Sequence, residues 1–200
     1  MLDKSIKHIG VLMVWNKKED YPKYALPTGY SFKYYQEGDE YSWAEMQYTN
    51  GQVDSYEEAL ECFDTEFKIR VEDTKEKMVF VISPSGQKVA TASLWDGRHF
   101  GEKNPRIHWV SVIDEEQGRG LAKALMTKLM NQHLKTTDGK LLYLTSQTWS
   151  YKALNIYQQF GFAPYKGEKP VNWKDNEVEF IKQTREAWEI IDKKIELHKK

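Results

Sequence analysis

The chain has 200 residues, 40% of them apolar, and 29 Lys and Arg stand against 30 Asp and Glu for a formal net charge of −1. That balance argues against a dedicated nucleic-acid binder, which needs a basic face, while the apolar share and seven tryptophans suffice for the core of one α/β domain. Cys62 is the only cysteine, which excludes an intrachain disulfide and a cysteine metal site and fits a reducing, cytoplasmic setting.

Residues 9–15 are the longest apolar run near the start. They are too few to cross a bilayer and lack a small-residue cleavage site, so neither a membrane span nor a signal peptide is expected. They read as an extra edge strand within an N-terminal extension of residues 1–25. Residues 16–28 are a polar connection punctuated by proline. The aromatic run 30–36 is strand-like, and Asp39 is placed to cap a helix through Thr49 with Trp43 and Met46 inward.

Ser55 and Glu58 form a capping box, after which Tyr56, Ala59, Leu60, Phe63 and Phe67 recur at helical spacing. Residues 54, 57, 58, 61, 64 and 66 are acidic, with no Lys or Arg between them. This fits a solvated face with acids well placed on the helix dipole. Read functionally, it is a negative rim that attracts a cation. Cys62 falls on the apolar side of this helix, as a core residue rather than a nucleophile.

Residues 78–83 and 88–95 read as strands around the turn Pro84-Ser85-Gly86-Gln87, and 96–106 as a loop with two glycines and a proline. Residues 107–113 are a strand rich in β-branched and aromatic side chains. On strict alternation, Arg106, His108, Val110 and Val112 share one face and Ile107, Trp109, Ser111 and Ile113 the other. A glycine loop, Gln117-Gly118-Arg119-Gly120-Leu121-Ala122, opens a helix with Leu121, Leu125 and Leu129 on one face and Ala122, Met126 and Met130 beside them. Residues 140–147 are another strand, and Ser150 is placed as the N-cap of a helix that ends at Gly161. Residues 175–200 read as a C-terminal helix with a stripe of Val178, Ile181, Trp188, Ile191 and Ile195. That stripe packs either on its own domain or on a second subunit, as a homodimer contact.

The loop at 117–123 has the chemistry of an anion site. The first N–H groups of a helix lack intrahelical partners and carry the positive end of the dipole. Glycines at 118 and 120 let a phosphate approach the backbone, and Arg119 and Lys123 add charge-assisted bonds. A dinucleotide GxGxxG would need a glycine at Lys123, and a P-loop would need GxxxxGK[ST]; neither is present. The histidines have no metal-site spacing.

The loop resembles Q/R-x-x-G-x-G/A, the pyrophosphate loop of the GNAT superfamily of N-acetyltransferases. Residues 150–162 (SYKALNIYQQFGF) resemble the second signature of that family, an Asn or Ser followed by A-x-x-x-Y-x-x-x-G-F. The resemblance is specific over 107–162 and silent on the acceptor. It implies a single GNAT domain over 1–200. The α/β (α+β) fold would have a mixed central sheet flanked by helices and splayed between the fourth and fifth core strands (107–113 and 140–147), plus the added N-terminal strand and C-terminal helix. It also implies acetyl-CoA as cosubstrate, with backbone groups of Val110 and Val112 on the pantetheine arm and Gln117, Gly118, Arg119, Gly120, Leu121, Ala122 and Lys123 on the pyrophosphate.

By the same resemblance, Ser150 stands where many members have an asparagine touching the cofactor arm, and Tyr157 matches the tyrosine that protonates the departing thiolate. His108 is similar in position to a histidine of aralkylamine acetyltransferases, nine residues before Gln117, and is the candidate general base; its pKa class suits that role. A water chain is the alternative base. The expected activity is acetyl transfer from acetyl-CoA to a primary amine, either a cationic small molecule or a lysine side chain, by direct attack. A CoA-binding module without catalysis is the other reading. No nucleic acid, membrane or metal partner is expected.

Overall fold

The computed structural model of the chain describes residues 2–15, 21–136 and 141–198. The fold is α/β, with a seven-stranded mixed sheet flanked by helices. The strands are β1 (Gly10–Trp15), β2 (Ser31–Tyr34), β3 (Met78–Ile82), β4 (Lys88–Phe100), β5 (Glu102–Val112), β6 (Tyr143–Gln147) and β7 (Phe162–Pro164), in the order β2-β3-β4-β5-β6-β1-β7. The helices are α1 (Glu40–Thr49), α2 (Tyr56–Glu66), α3 (Val71–Lys77), α4 (Leu121–Thr136), α5 (Tyr151–Gln159) and α6 (Glu177–His198). Among the described residues no helix is long and apolar enough to cross a membrane.

The chain divides into two compact units whose boundary falls inside β4 and β5. The first contains Lys23–Trp95 and Ile107–Lys135. Its core is an aromatic cluster that includes Tyr35, Trp43, Phe63, Phe67, Phe80 and Trp95. Trp43 is fully buried and meets the rings of Phe63, Phe67 and Trp109 edge to face at 5.4, 5.6 and 5.1 Å, the offset geometry that ring quadrupoles favour. The Ser55 cap forms as expected, with Glu58 N–H donating to Ser55 Oγ at 3.0 Å, while the Glu58 carboxylate reaches one residue past the N-cap and accepts from Asp54 N–H at 2.8 Å. Asp39 precedes α1 without capping it. Its carboxylate instead takes Gln36 N–H at 2.9 Å and pairs with Lys88 at 3.0 Å, partners brought by the preceding turn and by β4.

Helix α3 has no counterpart among the sequence expectations. It is short and highly charged, and Thr74 ties it down by donating to the Phe67 carbonyl at 2.9 Å. Residues 96–106, expected as a loop, are instead the tip of a long β4–β5 hairpin turning at Gly101, whose φ is +82°. The stretch is poor in strand formers, and its pairing is stabilised by tertiary partners that local preference does not report. Phe100 meets the Tyr143 ring at 5.3 Å, and Lys103 pairs with Asp96 at 3.0 Å.

The second unit contains Asp3–Pro22, Asp96–Arg106 and Thr136–Lys200. Here β1 is not an edge strand. It pairs antiparallel with β6 (Val14 opposite Tyr143) and with β7 (Trp15 opposite Phe162). Both of its edges are therefore paired, and its burial is nearly continuous. Ser150 precedes α5 but makes no side-chain cap. The 3-10 turn Thr148–Ser150 runs straight into the helix, so the backbone is already curled where an extended N-cap residue would be needed.

The inward face of α6 is Phe180, Thr184, Ala187, Trp188, Ile191 and Ile195. Val178 and Ile181, expected in the stripe, are 77% and 49% exposed. Ion pairs of Lys7 with Glu186 at 2.7 Å and Lys194 with Asp3 at 2.8 Å hold α6 to the N-terminal segment of its own unit. The bond from Lys194 holds the Asp3 carboxyl down at about 2.

Two predictions arise here. A Cβ on Gly97 would lie 1.9 Å from the hydroxyl oxygen of fully buried Tyr143. Gly97→Ala is expected to destabilise the protein by about 1–3 kcal/mol through overpacking. A Tyr143→Phe background should relieve most of that, so denaturant melts of the two changes will be non-additive.

His99 Nδ1 lies 2.9 Å from the Tyr143 hydroxyl. Burial, and then the Arg106 charge, hold its imidazole down from 6.5 to about 4. The folded chain thus resists the proton that the unfolded chain accepts. The stabilisation is full above about pH 6.5 and is lost as pH falls toward 4. Urea midpoints should drop across that window, and His99→Gln should flatten the drop.

Candidate functional site

Strand β5 departs from regular pleating at one residue. Trp109 has φ +48°, the only positive φ outside glycine among the described residues. A bulky residue in that region marks a bulge and a local reversal of side-chain direction. The strict alternation expected over 106–113 therefore fails. His108 and Trp109, assigned opposite faces, reach the same carboxylate. Glu66, the last residue of α2, lies 2.6 Å from His108 Nε2 through one oxygen and accepts from Trp109 Nε1 at 3.0 Å through the other. An ionised carboxylate only accepts, so opposite an ionised Glu66 the hydrogen of the first bond resides on Nε2. The His108 and Glu66 side chains are 13% and 26% exposed. The Phe67 ring lies 6.0 Å from the imidazole, and the His108 carbonyl accepts from Ser93 Oγ at 3.2 Å.

Beyond the bulge, Val110 is half-buried. The Val112 carbonyl accepts from Asn50 Nδ2 at 3.1 Å and Gln117 Nε2 at 3.3 Å. That carbonyl is thus engaged by two side chains of the protein. Asn50 follows α1 and also donates to Ser111 Oγ at 2.6 Å.

Gln117, Gly118, Arg119 and Gly120 are exposed, and Leu121, the first residue of α4, is buried. Gly118 and Gly120 have φ of +78° and +81°, and a Cβ at either would meet nothing within 4 Å. Open space over two left-handed glycines at the start of a 16-residue helix leaves the backbone there open to approach. Both cations near the loop are held in place. Arg119 Nε pairs with Glu116 at 3.0 Å, and Tyr30 donates its hydroxyl to the same carboxylate oxygen at 2.5 Å. Lys123 Nζ sits 5.0 Å from the centroid of the Tyr24 ring, a cation–π contact. Ala122 and Lys123 are half-buried in the first turn.

His108, Val110, Val112 and residues 117–123 all belong to the first unit, and Ser150 and Tyr157 to the second. Tyr157 is 7% exposed, with its ring 6.3 Å from that of Phe162, and burial pushes its phenol above the usual range. That keeps the group protonated, the state in which it can donate. Cys62 is half-buried, and burial raises its thiol, as suits a packing residue. No cluster of metal-ligating side chains occurs among the described residues.

Glu66, Asn50, Glu116 and Tyr30 were not singled out from sequence as site residues. Glu66 was visible only as one acid of a charged run, and nothing local marked it apart.

The sequence profile of the acetyltransferase (GNAT) family matches residues 20–162. Comparison with the curated proteins gives no match. Among solved structures, the chain is similar to a GCN5-related N-acetyltransferase from Sphaerobacter thermophilus, with TM-score 0.61 and 19% identity over 79% of this chain and 49% of that one. It is also similar to an acetyltransferase of the GNAT family from Colwellia psychrerythraea, with TM-score 0.60 and 11% identity over 82% of this chain and 55% of that one. A tandem GNAT protein from the clavulanic acid biosynthesis pathway gives TM-score 0.54 and 14% identity over 82% and 52%. The chain spans about half the length of these structures, and at such identities the likeness is one of fold. The profile covers most of the chain and takes in the bulged strand, the glycine loop and the helix carrying Tyr157; the chain belongs to the acetyltransferase (GNAT) family.

Proposed function

We propose that the chain is an N-acetyltransferase that moves the acetyl group of acetyl-CoA to a primary amine by direct attack. The observation that carries this reading is the exposed loop at residues 117–120, with its two left-handed glycines at the head of α4. In this reading the loop backbone, aided by Arg119 and Lys123, holds the pyrophosphate of acetyl-CoA, and N–H groups of β5 near Val110 and Val112 meet the pantetheine arm. The amine nitrogen bonds to the thioester carbonyl carbon, the C–S bond breaks, His108 takes the proton from nitrogen, and Tyr157 protonates the sulfur that leaves. Ser150 contacts the cofactor arm.

The acceptor is a cationic small molecule or a lysine side chain. Support for that choice is the exposed acidic face of α2, where Glu57, Glu58, Glu61 and Asp64 raise the local concentration of cations. The test is release of free thiol from acetyl-CoA across a panel of primary amines, alongside calorimetry with CoA. Amine-dependent thiol release is the expected result. CoA uptake without thiol release for any amine would instead favour a non-catalytic CoA-binding module, and no uptake would overturn both.

A further inference from the structure

The mechanism above gives His108 a proton to take but does not say what fixes its ring. We infer that Glu66 is the positioning residue of this site: its carboxylate holds His108 as the Nε2–H tautomer with Nδ1 as the base, and clamps the β5 bulge through Trp109. The inference rests on the proposed acetyl transfer for its catalytic consequence, but not for its structural one.

Three observations carry it. The two oxygens of one carboxylate serve two neighbouring strand residues, His108 Nε2 at 2.6 Å and Trp109 Nε1 at 3.0 Å. In a regular strand these rings would point to opposite faces; they converge because Trp109 adopts φ +48°. Such a conformation persists only where its surroundings over-determine it. Here those surroundings are the Glu66 bond at one end of the indole and the Trp43 ring against it at 5.1 Å. Finally, the carboxylate comes from α2, 42 residues away in sequence from His108, at the end of a helix anchored by Ala59, Phe63 and the adjoining Phe67. A base on a bulged strand is thus oriented by a group on a packed helix, the arrangement by which a carboxylate sets the tautomer of a catalytic histidine. Among the groups around the imidazole are the Glu66 carboxylate from α2, the Phe67 ring beyond it and the Trp109 indole on β5, while Ser93 on β4 donates to the His108 backbone carbonyl.

The first test uses the unaltered protein. Nitrogen-15 spectra of the imidazoles, with His108 assigned by comparison with His108→Gln, should give a protonated Nε2 and an unprotonated Nδ1 in the neutral ring. Glu66→Gln should shift that tautomer balance. With the best amine acceptor it should lower kcat/KM about tenfold or more while KM for acetyl-CoA stays within about twofold. The acid limb of its pH–rate profile should move to lower pH, since the imidazolium loses its anionic partner. Glu66→Asp, which keeps the charge on a shorter arm, should recover part of the rate. Trp109→Phe removes only the second bond and should leave the tautomer unchanged.

An Nδ1–H tautomer in the unaltered protein would overturn the inference, as would a Glu66→Gln protein with unchanged tautomer and unchanged pH profile. If Glu66→Gln does not fold, the wild-type tautomer and the Glu66→Asp profile decide. Absence of thiol release with every amine defeats the proposed function but leaves the tautomer readout standing, so the two failures are distinct.

Discussion

Replacing Tyr157 by phenylalanine is expected to lower kcat by about 10²-fold or more, with affinity for acetyl-CoA held within about twofold. In the proposed reaction the leaving thiolate must gain a proton as the C–S bond breaks, and the Tyr157 phenol supplies it. Burial favours the neutral phenol, so the donor stays loaded across the working pH range. No alkaline limb from this group is expected below about pH 10, the ordinary phenol value. The substitution is also clean. The Tyr157 hydroxyl has no hydrogen-bond partner among the described residues, so its removal orphans nothing, and the ring keeps its place by Phe162. Thermal stability should be unchanged or slightly higher. Steady-state kinetics with calorimetric CoA binding make the check, and unchanged turnover in Tyr157→Phe would remove the assignment.

His108→Gln is expected to lower kcat/KM by about 10²-fold at neutral pH, an effect that shrinks as pH rises. A primary amine with pKa near 10 is almost wholly protonated at pH 7, so a transferase without a base depends on the small neutral fraction of its acceptor. That fraction grows about tenfold per pH unit below the amine pKa. The variant should therefore follow a line of unit slope up to about pH 10, where the wild type levels off earlier. Glutamine can still bond to the Glu66 carboxylate through its amide N–H, which preserves the tie between α2 and β5. A profile superimposable on the wild type would place the base elsewhere, in a water chain for example.

Much of the fold follows from short windows of the chain. The leucine and methionine rows of α4, the Ser55–Glu58 cap of α2, the inward Trp43 and Met46 of α1 and the stop at Gly161 are all local patterns. A helix period or a cap involves residues within one or two turns, and its physics is complete inside that window. The glycine turn before α4 belongs to the same class, because its two left-handed glycines need only their own backbone to form it. Expectations went astray where the window was too small. The hairpin tip at 96–106 lacks strand formers and is held by ring contacts with β6. Val178 lies on the helical stripe of α6 yet is exposed, because periodicity defines a face without saying how far along the helix that face is covered. The place of β1 between β6 and β7 is a matter of pairing, which strand composition does not encode.

The sequence by itself determined the fold class, through its resemblance to the GNAT family, and the glycine loop before α4, and it set a histidine at 108 and a tyrosine at 157. Only the tertiary structure decided which groups hold them. Glu66 meets His108 across 42 residues, Tyr30 meets Glu116, the partner of Arg119, across 86, and Trp109 turns against its strand. Hydrogen bonds reach about 3 Å, so partners that distant in sequence are set by how helices and strands pack and not by any pattern near the residues they serve.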